Sequence, residues 1–269
     1  MSLPLSPPPP PDQISAQSPL DYAFAVRDVD VLTMVRTALE NGWCRLAVQP
    51  VVLAGDVQKI AFYEGLIRVQ DDRGRIIPAG QFLPVIGETD LGREVDCASL
   101  RLGFDLLRTN PTLRLSINTS ARSIADGKWR RVMDQGLAAD PLAGERLILE
   151  IGESQAMLLP EVVIRFMEEM QPCGVSFALD DFGAGMTAFR HLKDFFFDLV
   201  KIDRLFIAGI HESPDNQVIT EALTMISHQF EMFAVAQGVE RVEEARFLQG
   251  IGIDCLQGYY LGRPGFQLA

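Results

Sequence analysis

The stretch Val175-Ser176-Phe177-Ala178-Leu179-Asp180-Asp181-Phe182-Gly183-Ala184-Gly185 couples an apolar run rich in strand formers to two adjacent carboxylates and a glycine-containing loop. It reads as a buried strand that delivers acids to a tight turn. Two neighbouring acids at a strand end are costly unless positive charge sits between them, and a divalent cation is the first candidate. Other apolar runs also end in a polar residue. Leu113 to Ile117 leads to Asn118, Leu147 to Leu149 to Glu150, Leu199-Val200 to Lys201, Met232 to Ala236 to Gln237, and Ile253 to Leu256 to Gln257.

Amphipathic segments of helical spacing separate these runs. Repeated strand-helix units that close on one another predict a (β/α) barrel, whose reactive side chains come from the C-terminal strand ends. The six ends would then converge on one rim. A doubly wound open sheet is the alternative, but no Gly-rich phosphate loop marks its first turn. Upstream, Val31, Leu32, Val35 and Leu39 predict a helix from Asp30 to Leu39, stopped at Asn41-Gly42. Leu46 to Leu53 and Ile60 to Val69 flank Gly55-Asp56 as an antiparallel hairpin, and Pro84 to Gly87 and Val95 to Leu107 read as helical. Residues 1–27, with Pro7 to Pro10, read as a disordered Pro/Ser-rich leader before a single domain over 28–269. The charge runs Glu168-Glu169 and Arg241 to Arg246 fit solvated helix faces. Phe195 to Phe197 fits core or a subunit contact.

With 269 residues and 48% hydrophobic content, the chain can bury a core of barrel size. A net charge of −12 without a Lys/Arg-rich run argues against binding duplex nucleic acid. Cys44, Cys97, Cys173 and Cys255 form no CxxC pair and the three histidines are scattered, so zinc is not expected and reduced thiols are. No apolar run approaches a membrane span, and no signal pattern opens the chain, so a soluble, cytoplasmic protein is expected.

Set side by side, Glu64-Gly65-Leu66, Asn118-Thr119-Ser120-Ala121-Arg122, Glu150-Ile151-Gly152-Glu153-Ser154, Asp180-Asp181-Phe182-Gly183-Ala184-Gly185, Lys201-Ile202-Asp203-Arg204, Gln237-Gly238-Val239-Glu240, Gln257-Gly258-Tyr259-Tyr260 and Arg263-Pro264 resemble, in order, the EAL-domain family of cyclic di-GMP phosphodiesterases. That resemblance implies a modified triosephosphate-isomerase (β/α)8 barrel with an antiparallel first strand, and Mg2+- or Mn2+-dependent hydrolysis of cyclic di-GMP to pGpG. Hard ions of this kind take oxygen ligands. By resemblance, Glu64, Asn118, Glu150 and Asp180 would bind a first metal, and Asp181 would join Asp180 around a second. Lys201 would be a protonated point charge near water and phosphate; a Schiff-base role for it is disfavoured by the surrounding acids. Gln49 and Arg68 would contact guanine and phosphate, and Gln257 would sit beside phosphate or metal. Glu153 and Glu240 would orient ligands or fix the loop after Asp181. A homodimer is implied in the same way.

The chain also departs from that pattern. Active relatives carry Glu-Gly-Val-Glu where this chain has Gln237-Gly238-Val239-Glu240, so a carboxylate assigned to the second metal and to water activation is an amide. Gly65 replaces the central Ala of the name-giving motif, and the loop Gly183-Ala184-Gly185-Met186-Thr187-Ala188 stands where active relatives usually have Thr, Tyr and two Ser. The expectation is a domain that binds cyclic di-GMP and hydrolyses it weakly or not at all, with a weakened second metal. An active phosphodiesterase and a nucleotide-free scaffold are the alternatives.

Overall fold

The computed structural model describes residues 19–185 and 192–268. Nine strands form one sheet: β1 Cys44–Leu53, β2 Asp56–Gln70, β3 Ile76–Pro78, β4 Leu115–Asn118, β5 Leu147–Gly152, β6 Ser176–Phe182, β7 Leu199–Ile202, β8 Phe233–Ala236 and β9 Cys255–Gln257. β3 pairs only with the outer part of β2. The remaining eight close into a barrel, because β1 pairs antiparallel with both β2 and β9 while the strands from β2 and β4 through to β9 pair in parallel. Closure removes the open sheet of a doubly wound fold. The result is the predicted barrel with a reversed first strand.

Helices Asp90–Thr109, Gly127–Ala139, Pro160–Met170, Pro214–Gln229 and Val242–Gly250 lie between the strands. The first shows how sequence sets them. Thr89 accepts the Gly92 N–H at its start, Leu91, Val95, Leu100 and Leu107 bury one face, and Asn110 ends it. β5 is buried along nearly its whole length, as a parallel strand covered on both faces must be.

Side chains pointing into the barrel form two layers. Val51, Phe62, Ile148, Ala178, Leu199, Val235 and Cys255 make a buried apolar plug. Two residues from each, toward the rim, stand Gln49, Glu64, Glu150, Asp180, Lys201, Gln237 and Gln257, and β4 adds Asn118 above Ser116. A strand repeats every two residues, so one register step separates plug from polar layer on every strand.

The N-terminal helix runs from Pro19 to Glu40, so it takes in residues that composition had assigned to the leader and starts before the expected Asp30. Proline suits a first helical position. Residues 1–18 lie outside the described part. The helix stops where expected, with Gly42 at φ 67°. Its Val35 and Ala38 build a second small core with Ile67, Val69, Phe82, Ile86, Leu91 and Val95. Phe195 and Phe197 are buried with ring centroids 5.3 Å apart and Phe196 is exposed, which fits the core reading for the first two.

Gly65 has a packing role in β2. A Cβ there would lie 2.7 Å from Ile117 Cδ1, and a Cβ on Gly103 would lie 3.0 Å from the same atom, so Ile117 fills the space both glycines leave. Gly65→Ala should therefore destabilise the domain by about 1–3 kcal/mol through overpacking, and Ile117→Val in the same chain should recover part of the loss. Urea denaturation of the single and double variants checks this, and equal destabilisation in both would refute it.

Candidate functional site

Lys201 lies at the centre of the polar layer, fully buried. Its Nζ donates to Glu150 Oε2 at 2.6 Å and Glu64 Oε2 at 3.0 Å, and lies 3.4 Å from Asp180 Oδ1. Amides complete the ring. Asn118 Nδ2 donates to Glu64 Oε1 at 2.8 Å, Gln257 Nε2 to Glu64 Oε2 at 2.6 Å, and Gln237 Nε2 to Asp180 Oδ1 at 2.6 Å. Gln49 accepts from Gln257 at 3.3 Å and donates to the Gly262 carbonyl at 2.9 Å. Eight side chains of the sequence-derived set, Glu64, Asn118, Glu150, Asp180, Lys201, Gln49, Gln237 and Gln257, are thus brought together.

The electrostatics separate two acids that look alike in sequence. Burial opposes ionisation of Glu64, but Lys201 and the hydrogen bonds from Gln257 and Asn118 outweigh it and hold the carboxyl below its ordinary value. Glu150 has the shorter contact to Lys201, yet burial and then the charge of Glu64 push it up to about 8. The difference lies in the donors: Glu150 Oε1 is buried with no hydrogen-bond partner. Burial also opposes the charged form of Lys201, but Asp180, Glu150 and Glu64 together raise it well above the ordinary lysine value. The ammonium stays charged, which disfavours nucleophilic imine chemistry.

Asp181 reaches the site by a break in the pleat. Neighbours on a regular strand face opposite sides, but β6 has a register shift between Leu179 and Phe182, and Asp181 has φ 56°. Asp180 turns to Lys201 and Gln237, while Asp181 lines a rim cavity of about 810 Å3 that also takes in Gln49, Glu64, Asp203, Gln237 and Gln257. Burial and then Asp180 and Asp203 push the Asp181 carboxyl up to about 6. Glu153 is buried and accepts the Gly183 N–H at 2.9 Å, which anchors the loop after the two acids. Met186, Thr187 and Ala188 fall outside the described residues. Arg68 is half-buried, donates to the Ile67 carbonyl at 2.9 Å, and is lowered by burial against the fields of Glu64 and Tyr259.

Glu240 is exposed at the cavity edge, and its backbone N–H donates to Glu244 Oε2 at 2.8 Å. Glu244 corrects the reading of Arg241 to Arg246 as a solvated face, since it is 3% exposed. Asp203, absent from the sequence-derived set, is buried beside Asp181 and accepts the Leu205 N–H at 2.7 Å. Its signal was the two-residue spacing from Lys201 on the same strand end.

The atoms that could face a metal are oxygens and the cluster carries an excess of negative charge, with Glu150 Oε1 buried and unpartnered; in kind and charge this fits a hard divalent cation. The spacing is not a closed ligand set. Among the described residues no three His, Cys, Asp or Glu side chains are already arranged around an ion position, and Lys201 Nζ occupies the space between Glu64, Glu150 and Asp180.

Two expected outcomes follow from these charges. Lys201→Met leaves buried acids without their cation and should cost about 3–5 kcal/mol near pH 8; with the acids then raised, the folded state takes up protons and the loss should be smaller near pH 5.5. A loss independent of pH would contradict the ion-pair reading. In the parent protein under chelator, the raised Glu150 makes the folded state bind more protons than the unfolded chain between about 4.5 and about 8. Stability should therefore fall as pH rises across that window, and Glu150→Gln should flatten the slope in urea titrations.

Comparison with known proteins fits this geometry. The chain is 29% identical over 241 residues to the cyclic di-GMP phosphodiesterase PdeF of Escherichia coli, covering 88% of this chain and 32% of PdeF. It is 31% identical over 249 residues to the bifunctional diguanylate cyclase/cyclic di-GMP phosphodiesterase MucR of Pseudomonas aeruginosa, covering 90% and 36%. The chain thus spans about a third of the length of these curated relatives. In structure it is similar to the FimX EAL domain from Pseudomonas aeruginosa bound to c-di-GMP, with a TM-score of 0.81, 26% identity, and coverage of 88% of this chain and 97% of that one. No helix among the described residues is long and apolar enough to cross a membrane. The EAL domain model matches residues 33–264, and the chain belongs to the EAL domain family.

Proposed function

We propose that this chain acts in cyclic di-GMP signalling, binding cyclic di-GMP at the rim site and hydrolysing it to pGpG weakly or not at all. The observation that carries this reading is the 2.6 Å hydrogen bond from Gln237 Nε2 to Asp180 Oδ1. A glutamate in the place of Gln237 would face Asp180 as a second carboxylate, a contact that needs a cation or a shared proton. The amide meets Asp180 as a donor and needs neither. It carries no charge for a second metal and accepts protons poorly, and positioned proton transfer contributes about 10²–10⁴-fold in rate.

Mg2+ or Mn2+, when bound, would offset phosphate charge and acidify water. Glu64, Asn118, Glu150 and Asp180 would hold the first ion and Asp181 with Asp180 the second, weakened by the neutral Gln237. Lys201 keeps its charge toward the phosphate, Arg68 supplies a charge-assisted contact to it, and Gln49 and Gln257 complete the nucleotide site. Glu153 keeps the loop after Asp181 in place. The similarity to PdeF and MucR, both cyclic di-GMP phosphodiesterases, and to the FimX domain bound to c-di-GMP supports the ligand. The same reading makes the protein a cytoplasmic homodimer. Retained hydrolysis is the second reading, favoured by the intact charge of Lys201.

Calorimetry with cyclic di-GMP, with and without Mg2+, should give micromolar or tighter binding; no heat in either condition would overturn the reading. Chromatography of the products should show little pGpG. Appreciable pGpG that disappears in Asp180→Asn would favour the working enzyme. Gln237→Glu should raise turnover at least about tenfold, a barrier change of roughly 1.4 kcal/mol, whereas unchanged turnover would show that the missing acid is not limiting.

A further inference from the structure

Glu244, on the first turn of the helix Val242–Gly250, spreads one carboxylate over two loops. Its Oε2 accepts the N–H groups of Glu240 at 2.8 Å and Arg241 at 3.0 Å, which caps its own helix. Its Oε1 instead reaches back to Gly209, accepting that N–H at 2.8 Å. Gly209 sits in the turn that follows Lys201 and Asp203 and has φ 69°. The same two loops touch at a second point. Gly238 has φ 75°, and a Cβ on it would lie 2.7 Å from the Cβ of Arg204. Gln237 immediately precedes that glycine. Glu244 lines the rim cavity together with Gln237, Asp203 and Arg204.

We infer that Glu244 is a positioning residue: by bridging Gly209 to the Glu240-Arg241 backbone, it fixes the loop that carries Gln237 relative to the turn that carries Asp203, and so sets where the Gln237 amide meets Asp180 and the nucleotide. This deepens the proposed reading of the site and rests on it for the nucleotide part. Only a carboxylate serves both loops, since three N–H donors need two acceptor oxygens. In Glu244→Gln the amide oxygen can still cap Glu240 and Arg241, while its NH2 faces the Gly209 N–H, donor against donor. That substitution separates helix capping from the link between loops. Glu244→Ala removes both.

The test uses both variants in the full chain, with melting temperature, the side-chain amide 1H–15N pair of Gln237 (identified by its loss in Gln237→Glu), and calorimetry with cyclic di-GMP. Expected for Glu244→Gln is a melting temperature near the parent's, a displaced Gln237 amide pair, and affinity reduced at least about tenfold. Glu244→Ala should show the same displacement with a lower melting temperature. A Gln237 amide pair unmoved in both variants would overturn the inference, as would parental affinity in Glu244→Ala. If the parent itself fails to bind cyclic di-GMP, the functional reading falls, and the amide spectra still decide the positioning role.

Discussion

A single ammonium facing more carboxylates than it can neutralise is the constraint from which the rest of the rim follows. Lys201 contacts Glu64, Glu150 and Asp180, so even with all its contacts made the group keeps an excess of negative charge. The fold manages that excess in two ways. Asn118 binds the Glu64 oxygen that Lys201 does not reach, while Gln257 and Gln237 share Glu64 Oε2 and Asp180 Oδ1 with the ammonium. Glu150, which lacks such help, holds its proton more tightly. What remains is the electrostatic demand a divalent cation would meet.

The barrel makes this arrangement possible by parity. Each strand places an apolar or small residue in the plug and a polar one two positions nearer the rim, so the dry layer below lowers the local dielectric and strengthens each charge contact above it. Asp181 needed a break in that rule, and the strained φ of 56° is the local cost of turning two consecutive acids toward the same end of the barrel.

Much of this was legible in the chain itself. Asn118, Glu150, Asp180, Lys201, Gln237 and Gln257 each end an apolar run, and a run that ends in a polar residue states both the strand and its tip. Glu64 and Gln49 lie inside a hairpin without such an ending, and only the motif pattern picked them out. Glu244 was hidden because a charged residue on a helix gives the same pattern whether its carboxylate meets water or three backbone amides. Asp203 was hidden because it follows the apolar Ile202 at a point where Lys201 had already supplied the polar tip. The extra turns of the first helix, Pro19 to Val29, directly follow the Pro/Ser-rich stretch, whose composition carried the leader boundary too far along the chain.

The reversed β1 has an architectural consequence. Because it descends from the mouth to the floor while β9 rises to the mouth, the polypeptide enters and leaves the barrel on the same face, and Val48 and Gly265 bridge just above the acids. The N-terminal helix and the C-terminal tail therefore both join the barrel beside its polar mouth rather than at the opposite pole, so the two ends of the fold share one threshold with the buried acids.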